Sequence, residues 1–103
     1  MADKRPDKHP DVLKEVRACV EKGKVLDTRH ATDRRSEREI TFREMLDVLL
    51  TGYHEKRKDK WDEFYKAWNY AIRGKTTDRR ELRVIASFDP NGLLIITAID
   101  LDK

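Results

Sequence analysis

The run Glu81-Leu82-Arg83-Val84-Ile85-Ala86-Ser87-Phe88 constrains the fold of this chain more than any other segment. Leu82, Val84, Ala86 and Phe88 alternate with Arg83, Ile85 and Ser87, the period of a strand with one apolar face. Asp89-Pro90-Asn91-Gly92 is a turn sequence, and Leu93 to Leu101 is a second apolar run. Two such runs around such a turn predict a β-hairpin. Leu94, Ile95 and Ile96 are apolar on both faces, so the second strand is expected in the centre of a sheet or covered on both sides. Asn69 to Lys75 reads as a further strand, with Asn69, Ala71, Arg73 and Lys75 on one face and Tyr70, Ile72 and Gly74 on the other.

Helical patterns precede these strands. Pro10 suits a first helical position, Val12, Leu13, Val16, Cys19 and Val20 repeat at helical spacing, and Gly23 is a stop. Lys24 to Thr28 predicts a short strand, followed by a polar helix from near His30 to near Ile40. Thr41-Phe42-Arg43-Glu44 is a capping box, and Phe42, Met45, Leu46, Val48, Leu49 and Leu50 follow before Gly52. Tyr53 to Arg57 reads as a strand and Lys56 to Lys60 as a charged connector. Trp61, Phe64, Tyr65 and Trp68 fall at i, i+3, i+4 and i+7, which predicts one or two helical turns packed on the sheet. The expected core is Val84, Phe88, Ile95 or Leu94, Ile99, Leu46, Leu49 and Phe42. The expected architecture is α+β, with helices packed on one face of a largely antiparallel sheet. Residues 10–103 form one domain and residues 1–9 a loose tail.

No apolar run approaches a membrane span, and the N-terminus lacks the apolar core of a signal peptide. The single cysteine, Cys19, reads as a buried structural thiol and fits a reducing cytoplasm, so a cytoplasmic protein is expected. Net charge is +3, unevenly placed. Residues 22–83 hold 17 Lys/Arg against 12 Asp/Glu, and residues 89–103 hold 1 against 3. A basic middle with an acidic end points to an anionic partner for the middle.

The chemistry-bearing residues lie in that basic middle. On a helix opening near His30, His30, Arg34 and Arg38 share one face. An imidazole moves protons near neutral pH, and guanidinium groups hold phosphate by paired hydrogen bonds. Arg73 lies in an apolar run just before Gly74, and with Lys75 and Arg83 it is placed to line a basic surface. Arg79, Arg80 and Lys56 to Lys60 read as solvated charge. Metal-ligand spacings, nucleophile elbows and phosphate-binding glycine loops are absent from the sequence, so no cofactor or metal is expected.

Three segments carry a resemblance. They are Thr28-Arg29-His30-Ala31 with Arg34 and Arg38-Glu39-Ile40, Trp68-Asn69-Tyr70-Ala71-Ile72-Arg73-Gly74-Lys75, and Leu94-Ile95-Ile96-Thr97-Ala98-Ile99. Together they resemble a bacterial domain of unknown function, DUF4258, which is similar to the RelE/ParE and BrnT toxins. The resemblance implies helices on a curved antiparallel sheet and a metal-independent ribonuclease fold. By that analogy His30 is a general acid or base, Arg34, Arg38 and Arg73 are phosphate clamps, and Tyr70 and Thr97 support the site. Lys75 joins them by proximity.

The function expected from this is an endoribonuclease toxin of a toxin–antitoxin pair, with RNA as substrate and an antitoxin protein as partner. Tyr70, Lys75 and His54 are candidates for the second proton carrier. The alternatives are a non-catalytic nucleic-acid-binding module and a ParE-like binder of a protein target, both on the same fold. The nuclease reading requires His30 to lie within a few ångströms of Arg73.

Overall fold

The computed structural model describes residues 5–102. Its elements run α1 (Val12–Glu21), β1 (Val25–Asp27), α2 (Arg29–Glu37), α3 (Phe42–Thr51), β2 (Tyr53–His54), a 3-10 turn (Lys56–Lys58), β3 (Lys60–Asp62), β4 (Ala67–Lys75), β5 (Glu81–Asp89) and β6 (Gly92–Asp100). The fold is α+β, as expected. Its sheet is six-stranded, ordered β1-β6-β5-β4-β2 with β3 also on β4. The sheet is mixed, because β1 runs parallel to β6 while the other pairs are antiparallel.

The β5–β6 hairpin closes at Asp89 and Gly92, as the turn sequence predicts. Strand β6 lies between β1 and β5, which accounts for apolar side chains on both of its faces. A bulge adds a second reason. Ala86 pairs with Ile95 but Ile85 pairs with Thr97, leaving Ile96 as an extra residue in β6. The inward parity changes there, so Leu93 and Ile95 are buried before the bulge and Ala98 after it.

One face of the sheet carries the core. Val12, Val16 and Cys19 of α1 and Met45, Val48 and Leu49 of α3 pack with Tyr70, Ile72, Leu82, Val84, Ala86, Leu93, Ile95 and Ala98. Of the expected core, Val84, Leu49 and Ile95 are fully buried. Leu46, Phe88, Leu94 and Ile99 are half-buried. Phe42 is 38% exposed, since it opens α3 and its ring lies under the Arg35 guanidinium, 5.4 Å away. The Thr41–Glu44 capping box is complete. Gly52 and Gly74 let the end of α3 touch β4. A Cβ on Gly74 would lie 2.8 Å from the Gly52 Cα, and one on Gly52 would lie 2.6 Å from the Arg73 carbonyl oxygen.

Helix α2 begins at Arg29 with Thr28 as N-cap. Strand β1 pairs with only Leu93 to Ile95 of β6. Beyond it α2 serves the same edge, with Thr28 Oγ1 donating to the Ile95 carbonyl and Arg38 Nη1 donating to that of Ala98.

Two expectations are corrected. The strand expected over Tyr53 to Arg57 is only Tyr53–His54, followed by the 3-10 turn. The aromatic stripe is a hairpin, not helical turns. Trp61 and Trp68 pair directly across β3 and β4, and Glu63 to Lys66 form the loop. A four-residue loop places residues seven apart opposite each other, the same spacing as two helical turns. Asp62 Oδ1 closes the turn by accepting the N–H groups of Phe64 and Tyr65. Those two rings do not pack on the sheet: Phe64 is 84% exposed and Tyr65 is 75% exposed.

Of the expected tail, residues 1–4 lie outside the described residues. Residues 5–9 contact the β3–β4 hairpin: the Trp68 indole N–H donates to the Pro6 carbonyl, and Arg5 and Lys8 both stand over that indole. No helix among the described residues is long and apolar enough to cross a membrane.

Leu49 is fully buried between α1, α3 and the sheet, so Leu49→Ala should cost about 2–5 kcal/mol in denaturant unfolding. Phe42→Ala should cost less than half as much, since its ring is already partly in water. Equal losses would contradict this packing.

Candidate functional site

The basic face of the sheet is less free than its sequence suggests. Arg73 and Arg83 are paired neighbours on β4 and β5, and both turn to Glu55. Arg83 Nε donates to Glu55 Oε1 at 2.7 Å, and Arg73 Nη1 donates to Oε2 at 3.2 Å. Arg73 also pairs with Glu81. The Glu55 side chain is only 4% exposed. Its carboxyl is held below its usual range, first by the Arg83 hydrogen bonds and then by Arg73, against the opposing effect of burial. Arg73 is held more firmly protonated by its bonds to Glu81 and Glu55. These arginines brace the sheet, and their charge is balanced by Glu55 and Glu81. Lys75 is exposed at the end of β4.

Helix α2 divides its basic residues. Ala31 and Arg35 face inward, and the Arg35 guanidinium pairs with Asp27 of β1. Arg38 donates to the Thr97 hydroxyl at 3.2 Å and to the Ala98 carbonyl at 2.6 Å. Arg38 and Thr97 therefore meet, but as a fastening between helix and sheet. His30 and Arg34 are exposed, and Arg34 reaches Glu37 at 3.5 Å. Arg80, expected as solvated charge, is a hub. Its guanidinium binds Asp100, Glu44 and the carbonyls of Arg38 and Glu39, tying the end of α2 to α3 and β6. The Asp100 bond above all holds it protonated.

His30 opens onto a groove of about 560 Å³ on the sheet face away from the core. Leu94 and Ile96 line its apolar part. Thr28 and His30 stand at the α2 side, and Tyr65, Lys66 and Asn69 stand on the β3–β4 side. The His30 imidazole and the Asn69 amide make no hydrogen bond within the described residues. Ala67 and Asn69 are the β4 residues that line this groove. Arg73 lies four residues beyond Asn69 along β4, roughly 13 Å of strand at about 3.3 Å per residue. Arg73 does not line this groove, and its guanidinium is paired with Glu55 and Glu81.

Tyr70, the other expected site residue on β4, is buried on the core face. Its hydroxyl accepts the His9 backbone N–H at 2.8 Å, and its ring meets His54 edge-on at 5.7 Å. His54 Nε2 lies 2.7 Å from Asp59 Oδ2. No group of three or more His, Cys, Asp or Glu among the described residues is arranged to hold a metal ion. Burial, reinforced by Glu15, pushes the Cys19 thiol up, away from nucleophile character.

Residues 27–100 match the model of a family described as a domain of unknown function, DUF4258. The chain belongs to the DUF4258 family. No curated protein and no solved structure matches it.

In this DUF4258 domain the sequence missed several groups. The buried acid Glu55 sits in a run of lysines and arginines that reads as solvent-facing. Arg35 shares a helix with His30 but lies on the opposite face, and the inward phase is marked only by Ala31. The exposure of Phe64 and Tyr65 was signalled by Asp62, a residue that favours turns.

Glu55 gives the fold an acid-sensitive joint. A carboxylate with a depressed folded-state pKa stabilises above its unfolded value, near 4.5, and that contribution is lost as pH falls through the folded value. Glu55→Gln should lower stability by about 3 kcal/mol at neutral pH, the lower end for breaking a buried ion pair. Thermal melts of variant and wild type should converge well below pH 4.5. A gap that stays constant down to acid pH would show that the charge of Glu55 does not matter.

Proposed function

We propose that this DUF4258 domain binds single-stranded RNA in the groove between the start of α2 and the β3–β4 hairpin. The observation that carries this reading is the make-up of the groove. An apolar floor of Leu94 and Ile96 lies beside Tyr65, with Phe64 exposed on the same hairpin. Every base has a face that stacks on aromatic rings, so such a surface suits unpaired nucleotides. The unpartnered His30 and Asn69 are placed to read base edges or a 2′-hydroxyl. Arg29 and Arg34 are exposed on α2, the helix that carries His30, and Lys66, paired with Glu63, lines the groove; this is the positive charge available to draw a phosphate backbone.

The arrangement supports binding over cleavage at His30. Cleavage without metal needs two proton carriers and positive charge on the phosphorane. Arg38, Arg73 and Arg83 are engaged by the protein itself, which leaves His30 without the clamps the RelE/ParE and BrnT resemblance implies. A toxin role, with an antitoxin protein covering the groove, is consistent with this surface and is tested by growth arrest on induction.

Fluorescence anisotropy with a labelled single-stranded RNA tests the proposal. Tyr65→Ala and Phe64→Ala should each weaken binding by about 1–3 kcal/mol, the usual worth of a stacked base. Log K should fall linearly with log salt. His30→Ala should weaken binding by about 0.5–1.5 kcal/mol, the usual worth of one hydrogen bond. If His30 is a proton carrier after all, the same variant should cut any cleavage by about 10²–10⁴-fold. Absence of binding to any single strand at low salt would remove the RNA reading and leave the ParE-like protein target.

A further inference from the structure

A second cavity, of about 340 Å³, opens between the N-terminal segment, the start of α1 and the β2–β3 connector. It shares no lining residue with the His30 groove. Six of its eight lining residues, Lys8 to Leu13, precede the segment that matches the family, so most of this site lies outside that match. The other two are His54 and Lys56. The volume is that of a small-molecule site. The His54 side chain is 10% exposed, and the Asp59 carboxylate beside it is wholly buried. Asp59 takes His54 Nε2 at 2.7 Å, Lys8 Nζ at 3.1 Å and the Ala71 backbone N–H at 3.0 Å. With Nε2 held there, Nδ1 is the ring nitrogen left to the cavity, and it makes no hydrogen bond among the described residues. Val12 and Leu13, also in the wall, are the first two residues of the ten-residue helix α1. Their N–H groups have no acceptor within the helix and stand at its positive end.

The charges on the wall decide what this cavity takes. Lys8 is balanced by Asp59. Asp11 adds a carboxylate, whose Oδ1 caps α1 by accepting the Lys14 N–H. Lys56 is exposed, and its ammonium makes no ion pair among the described residues. Lys56 and Asp11 cancel, so the wall is neutral while His54 is neutral and carries one positive charge once His54 takes a proton. His9 does not supply that charge, because its Nδ1 accepts the Asp11 backbone N–H at 3.1 Å and its ring lies against Phe88. Tyr70 meets the His54 ring edge-on, and its hydroxyl accepts the His9 N–H. Protonation also turns Nδ1 from an acceptor into a donor. The wall then carries the Nδ1–H, the N–H groups of Val12 and Leu13 and the Lys56 ammonium. A helix start with such donors suits a phosphate or a sulfate. We propose that this cavity binds a small tetrahedral oxyanion, free phosphate or the phosphate of a small ester, together with one proton on His54. Asp59 is a positioning residue, which holds the ring and balances its charge. Pro10 and Leu13 form an apolar wall for the carbon part of an ester. The cavity is separate from the RNA groove, so neither proposal rests on the other.

The test titrates the full chain with sulfate at constant ionic strength and follows backbone amide and ring nitrogen chemical shifts. Sulfate keeps its double charge throughout the working pH range, so any pH dependence belongs to the protein. It should bind saturably, and the Val12 and Leu13 amides and the His54 ring should move most. Affinity should be at least about tenfold higher at about pH 5.5 than at about pH 8, the range over which an imidazole loses its charge. His54→Gln keeps an N–H for Asp59 but takes no proton, so it should abolish this pH dependence and weaken binding at least about tenfold at the lower pH. Lys56→Gln changes an exposed side chain and should weaken binding about two- to fivefold with the pH dependence kept. Inorganic phosphate and glycerol phosphate identify the source. Tighter binding of glycerol phosphate assigns the site to a small ester, and equal or weaker binding assigns it to free phosphate. Failure of all three anions to saturate would overturn the inference, as would largest shifts away from α1 and His54. So would an affinity that ignores pH, or a pH dependence that survives His54→Gln and so passes the proton to His9. Should His54→Gln fail to fold, unchanged binding by Lys56→Gln would sink the site on its own.

Discussion

The buried carboxylate of Glu55 decides what the basic half of this protein does. It accepts hydrogen bonds from Arg83 and Arg73, on two adjacent strands, and Arg73 is held a second time by Glu81. An isolated buried charge is costly, so a wholly enclosed Glu55 demands these partners. The consequence is that arginines which read as phosphate clamps are spent on holding β2, β4 and β5 together. Arg80 does the same at the other end of the sheet, where it fastens α2, α3 and β6 around Asp100 and Glu44. Charge that looks like a ligand surface is in large part internal fastening.

With those groups engaged inside the protein, the proposed RNA surface centres on the β3–β4 hairpin. The hairpin projects Phe64 and Tyr65 into solvent, and Trp61 and Trp68 brace its stem at 5.6 Å between ring centres. Exposed aromatic rings beside an apolar groove are costly to leave in water and are worth a binding reading. The N-terminal segment crosses the same hairpin, bringing Lys8 and His9 to the cavity that holds His54. Two surfaces of different character thus adjoin one hairpin, an apolar groove and a polar cavity.

The hairpin also shows where reading by period fails. Trp61 and Trp68 sit seven residues apart, and both a helix and a four-residue-loop hairpin bring such residues to one side. Local spacing cannot separate the two, because the distinction lies in which hydrogen bonds the backbone makes. Strand β4 offers β3 a complete edge at Asn69, Trp68 and Ala67, and that pairing settles the matter. The expected meeting of His30 and Arg73 rests on the same kind of local reading, and of the two only His30 lines the groove. Both belong to the segments of strongest resemblance, but strand register, not sequence motif, sets how far along the sheet each one falls.

The sequence by itself determined the elements whose stability is local or periodic. The capping box at Thr41, the stop at Gly23, the alternation of β5, the Asp-Pro-Asn-Gly turn and the membership of α1 and α3 in one core all follow from backbone sterics and amphipathic spacing. Only the tertiary structure decided the fate of the charges. Whether Arg73 meets a ligand or Glu55 depends on a residue 18 positions away being folded over β4 and β5. Whether His54 is a solvated loop residue or is held by a buried aspartate depends on where the chain leaves and rejoins one strand. Side-chain pairing at such range carries no periodic trace, because any acid near any base in the sequence reads the same until the sheet fixes which two are adjacent.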